Sequence, residues 1–383
     1  MNRRKLLLAC AALTAVTALP ACAQGTNQNT DQDTSSQNTT GKAYATQVFA
    51  KDLEQPWGMA FLPDGRLLVT EKAGRLRLIS ADGKAIQNIG GVPEVADAGQ
   101  GGLLGVAIDP DFATNGLVYF SYSEPDSSGK AGTAVARARL DGHNLADLKV
   151  IWQQTPKVDS PNHWGSRLAF AKDGNLFVTT GDRARFRDLA QDLSTTIGKV
   201  IRIRPDGSVP SDNPFVNQAG AKPEIWSYGH RNVQGAAVHP QTGQLWTNEH
   251  GPQGGDEINI AEAGKNYGWP LITYGEEYGG GKIGTTEKAG LEQPLHYWVP
   301  SIAPSDMLFY TGKHTVWQDK LFIGSMKFQY LNMITVTDGK VTSEEKLLEE
   351  FNERVRVVVQ GPDGAIYVAF DSVDGQIIRI EPK

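Results

Sequence analysis

One turn returns six times along this chain of 383 residues, and no other feature limits the possible folds so sharply. In each copy an apolar residue enters a turn built from Pro, Asp and Gly, and an apolar β-type strand leaves it. The clearest copies are Phe61-Leu-Pro-Asp-Gly65 before Arg66–Thr70, Phe170-Ala-Lys-Asp-Gly174 before Asn175–Val178, and Gly361-Pro-Asp-Gly364 before Ala365–Ala369. Ile108-Asp-Pro-Asp111 through Asn115-Gly116, and Val238-His-Pro-Gln-Thr-Gly243, are longer versions, and Val316-Trp-Gln-Asp319 is a weaker one. Pro presets φ, Asp bonds back to its own backbone, and Gly supplies the left-handed position, so each copy reads as a hairpin turn feeding a half-buried strand. Six copies at propeller-like spacings, stretched by insertions, predict an all-β, six-bladed β-propeller with insertions on its working face. An irregular β-sandwich is the alternative, but it has no reason to repeat one turn six times. Ring closure then falls to Tyr44–Ala50, expected to pair with Gly375–Pro382. The longest gap between copies, Gly243 to Asp319, holds the densest chemistry.

The N-terminus stands apart from this pattern. Arg3, Arg4 and Lys5 precede an apolar run from Leu6 to Leu19 and small residues around Cys22. That is the grammar of a secretory signal, too short to span a membrane stably. Leu19-Pro-Ala-Cys22 fits a bacterial lipobox, and Ala21-Cys-Ala23 also fits ordinary cleavage; the cysteine directly after Leu-x-Ala favours the lipoprotein. Residues 23–42 are almost wholly polar and read as a disordered tether. The expected organisation is therefore a signal at 1–22, a tether at 23–42 and one propeller at 43–383, exported to the periplasm and lipid-anchored through Cys22. Cys10 and Cys22 are the only two cysteines, so the propeller must stand without a disulfide. A net charge of −6 gives no nucleic-acid footprint, and an anionic ligand must meet a local cationic cluster.

Four constellations could carry chemistry. Pro161-Asn-His163-Trp-Gly-Ser-Arg167 precedes a blade strand, and Gly181-Asp182 follows on the same hairpin. A histidine with a carboxylate to hold its tautomer suits proton abstraction near neutral pH, although a turn histidine needs no such role. Tyr228-Gly-His-Arg231-Asn232 is the second. The third runs from Asn248-Glu-His250-Gly251-Pro252 through Asp256-Glu257-Ile-Asn259 to Asn266-Tyr267-Gly-Trp-Pro270. Its carboxylates and turn carbonyls suit a hard cation such as Ca²⁺, without EF-hand spacing. The fourth is cationic: Lys327, Arg354 and Arg356, the last two on one side of an extended segment, able with Arg231 to bind several carboxylates at once.

Taken in order, these motifs resemble the soluble pyrroloquinoline-quinone (PQQ)-dependent glucose/sorbosone dehydrogenases, nearest to the bacterial aldose sugar dehydrogenase branch. The resemblance covers nearly the whole chain after the tether. It also runs through Gln55-Pro-Trp-Gly-Met-Ala60, Gly99-Gln-Gly-Gly-Leu-Leu-Gly105 and Pro300-Ser-Ile-Ala-Pro-Ser305. It implies oxidation of a sugar's anomeric carbon to a lactone, with His163 as general base, Asp182 orienting it, and hydride passing to C5 of PQQ. Arg231 then polarises the quinone oxygen. Asn232, Lys327, Arg354 and Arg356 match cofactor-binding positions, and Gln100 a residue near substrate and cofactor. Gly251 and Pro252 match the carbonyls that hold the cofactor's Ca²⁺, while Glu257 and Tyr267 match ligands of a second, structural Ca²⁺. The implied partners are an aldose and an external electron acceptor. His250 stands where the well-known glucose enzyme has glutamine, and Ser301 where it has threonine. The segments that line the sugar pocket and the dimer contact of that enzyme are shorter here, which favours a broad aldose preference and a monomer.

Two other readings share the fold. A Ca²⁺-dependent propeller lactonase needs a central cage of carboxylate and Asn side chains, and leaves Arg231, Lys327, Arg354 and Arg356 without a task. A non-catalytic binding propeller gives no reason to keep His163 and Asp182 beside a complete cofactor set.

Overall fold

The computed structural model describes residues 42–383; the signal, the Cys22 lipobox and nearly all of the tether lie outside them. Those residues form six four-stranded antiparallel sheets, five of them built from strands consecutive in sequence. The sixth takes three strands from the C-terminus and its outermost strand, Tyr44–Leu53, from the start of the described chain. That strand pairs with Gly375–Pro382 from Tyr44↔Pro382 to Leu53↔Gly375, as the sequence predicted. The first strands of the blades are neighbours in a ring, and the first blade's Pro56–Phe61 meets the sixth blade's Val355–Gln360. The described residues form a six-bladed propeller closed by pairing their first strand with their last.

The repeated turn joins the first and second strands of every blade. Gly65, Gly116, Gly174, Gly243 and Gly364 in five copies have φ between 64° and 87°. In the weak copy Asp319 takes that place at φ 59°, a conformation Asp tolerates better than most side chains. One expectation needs correction. Four of the second strands, Leu67–Glu71, Leu176–Thr179, Leu245–Glu249 and Ile366–Phe370, are buried at every residue rather than half-buried. Each blade is packed on both faces by its neighbours, so neither face of an inner strand meets water.

The apolar core is accordingly divided into slabs between blades. Leu68, Leu76, Val118, Phe120 and Ala136 fill the space between blades one and two. Tyr119, Val135, Leu176, Val178 and Ile201 do the same between two and three, and Phe322, Leu331, Val358, Ile366 and Ile378 between five and six. Each fully buried Val, Leu or Ile contributes about 1.5–3 kcal/mol, which accounts for a ring with no disulfide among the described residues.

Because the repeated turns sit at one end of the first strands, the other ends all open on the opposite face. The segments that enter those strands contain Gln55, Gly99-Gln100, His163–Ser166, Arg231-Asn232, Ser301–Ala303 and Arg354. Six of the sequence motifs are thereby delivered to one face by topology alone. Below them the axis is plugged by contacts between blades that are not neighbours. Arg356 Nη1 donates to Gln234 Oε1 at 3.2 Å, and Arg167 Nε lies 3.2 Å from Asp306 Oδ1. The Arg167 guanidinium also stacks over Trp57 at 4.4 Å.

Candidate active site

His163 and Asp182 come together as the sequence suggested. His163 Nδ1 is 2.6 Å from Asp182 Oδ1, and Asp182 is 1% exposed. Asp182 sits in the loop just past the strand Leu176–Thr179. Its other oxygen accepts from Trp269 Nε1 at 2.7 Å, and Oδ1 also accepts from Ala184 N at 2.7 Å. A carboxylate that accepts on both oxygens leaves His163 to donate from Nδ1, which puts the free lone pair on Nε2. Asp182 N donates to Arg231 O at 2.7 Å and Gly181 bridges to Asn232, so the base, its orienting carboxylate and the Arg231-Asn232 pair share one backbone junction. Gln100 clamps the base from the other side: its N donates to Pro161 O at 2.8 Å and its Oε1 accepts from His163 N at 2.8 Å.

Three cavities adjoin, and His250 lines all of them. The pocket at the mouth of the axis, about 220 Å³, is lined by Gln100, Trp164, Asn232, Arg354 and Arg356 among others. An open cleft of about 820 Å³ beside it is lined by Gly251, Pro252, Ser301, Lys327 and Arg354. The third has a volume of only about 10 Å³ and lies among Arg231, Glu249, Glu257, Tyr267 and Trp269. Lys327, Arg354 and Arg356 thus face one continuous opening, while Arg231 lines the small cavity. His163 itself lines none of the three and is reached through its neighbours Gln100, Trp164 and Gly165.

The cationic cluster has a counter-ion that sequence reasoning missed. Asp371 Oδ2 lies 3.3 Å from Arg354 Nε and 3.0 Å from Arg356 Nη2. Burial opposes ionisation of Asp371, but the two guanidiniums outweigh it and hold the carboxyl below its usual range. Three of these cations and one carboxylate leave the opening positive. Arg356 Nε and Arg231 Nε are buried with no partner among the described residues, so both side chains keep donors to spend on an anion. Burial, reinforced by the charge of Arg231, pushes His250 down to about 3, so it is neutral, and its Nε2 donates to Pro304 O at 2.8 Å.

A planar polycarboxylate and a hard cation both fit these donors. Asp256 accepts from Gly251 N at 2.8 Å and Ala303 N at 2.7 Å, fixing the 250–252 turn. The carbonyls of Gly251 and Pro252 accept no hydrogen bond among the described residues. Gly251 is required there, since a Cβ would stand 2.2 Å from Gly254 O. At the small cavity, Glu249 and Glu257 share the Asn259 amide at 3.3 Å and 3.0 Å, and burial, with Glu249 beside it, pushes Glu257 up to about 8. A buried and a partly buried carboxylate with one amide between them suit a cation. The Tyr267 phenol is turned away, donating to Ile260 O and accepting from Glu262 N at 2.9 Å, so its main-chain carbonyl is the atom it has to offer. Among the described residues no three His, Cys, Asp or Glu side chains form a metal cage, so both places would lean on main-chain oxygens.

Besides Asp371, the sequence reading gave no role to Trp269, Trp57, Trp164 or Lys72, all of which border the site. Trp57, Trp164 and Trp269 lie within quoted motifs, and only the fold shows what they touch.

Known proteins share this sequence and fold along nearly the whole chain. The aldose sugar dehydrogenase YliI of Escherichia coli (strain K12) is 44% identical over 344 residues, which is 88% of this chain and 92% of that protein. The crystal structure of the soluble aldose sugar dehydrogenase from Escherichia coli in its apo form superposes with a TM-score of 0.86 at 43% identity, covering 89% of this chain and all of that one. The PQQ-bound aldose sugar dehydrogenase from Streptomyces coelicolor gives a TM-score of 0.73 at 27% identity, over 88% and 98% of the two chains. The sequence model of the Glucose / Sorbosone dehydrogenase family matches residues 53–379, from the end of the closing strand almost to the C-terminus. With that match and that degree of identity, the chain belongs to the glucose/sorbosone dehydrogenase family.

Proposed function

We propose that this protein is a PQQ-dependent aldose sugar dehydrogenase that oxidises the anomeric carbon of its sugar to a lactone. The observation that carries the reading is the convergence, at the entry ends of the first strands, of the His163–Asp182–Trp269 chain with a cationic opening. His163 Nε2 takes the proton of the anomeric hydroxyl, and the C1 hydrogen leaves with its electron pair. Asp182 keeps the imidazole in the accepting tautomer and stabilises the imidazolium that forms. Bound in the opening, PQQ supplies the two-electron acceptor for that hydride. Lys327, Arg354 and Arg356 hold its carboxylates, Asn232 presents its amide N–H, and the spare donor of Arg231 meets negative charge as it grows. The Gly251 and Pro252 carbonyls hold a Ca²⁺ beside the cofactor. Glu257 and the Tyr267 carbonyl hold a second, structural Ca²⁺. An external electron acceptor completes the cycle. Release into the periplasm with a lipid anchor at Cys22 is part of the same proposal and rests on the sequence of residues 1–23 alone.

The lactonase alternative is less well supported, because the axis where its carboxylate cage belongs is occupied by Arg167, Arg356 and Trp57. The test is to reconstitute the purified protein with PQQ and Ca²⁺ and follow dye reduction by a panel of hexoses, pentoses and disaccharides. Turnover with aldoses is expected; a fully loaded protein inert to the whole panel overturns the reading.

A further inference from the structure

Arg183 is the largest of the fully buried side chains, at 0% exposure, and nothing above gives it a task. Its guanidinium lies over the Trp164 ring, Cζ 3.2 Å from the centroid, and its Nη2 donates to Ser160 O. Its Nε and Nη1 have no partner among the described residues. Burying a guanidinium with two unpaired donors is unfavourable, so the position must return something. Burial pushes its pKa down to about 9, which leaves it charged at neutral pH.

The loops it joins are conformationally unusual. His163 and Ser166 have φ of 53° and 79°, and Arg183 and Ala184 both have 56°. Non-glycine residues in the left-handed region persist only where surrounding structure over-determines them. The two loops are also in main-chain contact, since a Cβ on Gly181 would stand 2.1 Å from His163 O. Two side-chain links cross between them: Asp182 to the His163 ring, and Arg183 to Ser160 and Trp164. The second link brackets His163, bonding three residues before it and stacking on the residue after it.

We propose that Arg183 is a positioning residue for the general base, holding the 160–166 loop in the left-handed conformation that aims His163. The inference rests on the dehydrogenase reading for its kinetic consequence and on geometry for its structural one. Trp164 lines the pocket at the mouth of the axis, so the stack also fixes one wall of that pocket.

The test is a double-mutant cycle in reconstituted enzyme. Arg183→Met is expected to lower kcat about 30-fold while the sugar KM and the PQQ dissociation constant stay within about threefold. Arg183→Lys, which restores charge over Trp164 but not the planar fork, recovers part of the loss. In a His163→Ala background, Arg183→Met costs less than about twofold, because the group it positions is gone. Equal losses in both backgrounds overturn the proposal, as does an unchanged kcat, or a kcat and cofactor affinity that fall in parallel. If the Met variant does not fold, the same cycle is run with Arg183→Lys. The cofactor-free protein gives a reading independent of turnover: hydrogen exchange at 160–166 should rise about tenfold in the variant while the blade strands keep their protection. Unaltered exchange there sinks the proposal, whereas an inactive loaded wild type sinks only the dehydrogenase reading.

Discussion

Replacing Asp182 by Asn changes one atom and forces a choice that the surrounding donors make unfavourable either way. Oδ1 accepts from His163 Nδ1 at 2.6 Å and from Ala184 N at 2.7 Å, while Oδ2 accepts from Trp269 Nε1 at 2.7 Å. An amide has one acceptor oxygen. If its NH₂ turns to Trp269, two donors meet in a buried place, at about 1–3 kcal/mol. If it turns to His163, the ring must accept at Nδ1 and carry its proton on Nε2, where the proposed base needs a lone pair. A positioned base is worth about 10²–10⁴ in rate, or about 3–5 kcal/mol, so kcat for Asp182→Asn should fall within that range. Cofactor affinity should hardly move, since Asp182 touches none of the cations that face the opening. The assay is steady-state dye reduction by reconstituted enzyme, with cofactor occupancy measured independently. A variant with full occupancy and a kcat within about threefold of wild type would refute the tautomer argument.

Three further outcomes are expected. Arg356→Ala should weaken PQQ binding about 10- to 100-fold and Arg354→Ala less, because Arg356 is nearly buried with a spare donor while Arg354 is half exposed; equilibrium titration ranks them. Although burial opposes it, the His296 ring 3.3 Å away and hydrogen bonds from Asn332 and Trp298 hold Glu344 down at about 2. A carboxyl lowered on folding stabilises above its unfolded value near 4.5 and loses that contribution as pH falls toward 2, so the Tm advantage of wild type over Glu344→Gln should be level from pH 7 to 5 and vanish below. Cys22→Ala should move the exported protein from the membrane to the soluble fraction, and mass spectrometry of the mature N-terminus should find a lipidated Cys22 in the wild type.

The propeller was legible in the sequence because each blade turns between its first two strands with the same residue types, and five of the six turns use glycine where φ must be positive. Even the weak copy was readable, since Asp319 is one of the few residues that can replace it. The depth of burial was not legible. Nothing local in Leu67–Glu71 tells a strand with one wet face from one wedged between two blades; the ring decides it. The site followed the same division. Motifs that enter first strands were found together, since topology brings those ends to one face. Contacts made from elsewhere were missed: Trp269 reaches Asp182 across 87 residues, Asp371 pairs with both arginines from the far end of their hairpin, and Arg183 works behind the loop it serves.

The account stands on a cationic opening that seats a quinone beside His163. Its most direct test is a titration of the purified protein with PQQ and Ca²⁺, followed by one addition of an aldose with no electron acceptor present. The account predicts saturation at one PQQ per chain and complete loss of the quinone absorbance when the sugar is added, with His163→Ala saturating equally but bleaching far more slowly. Saturation without bleaching by any aldose, or no saturable binding at all, would contradict it.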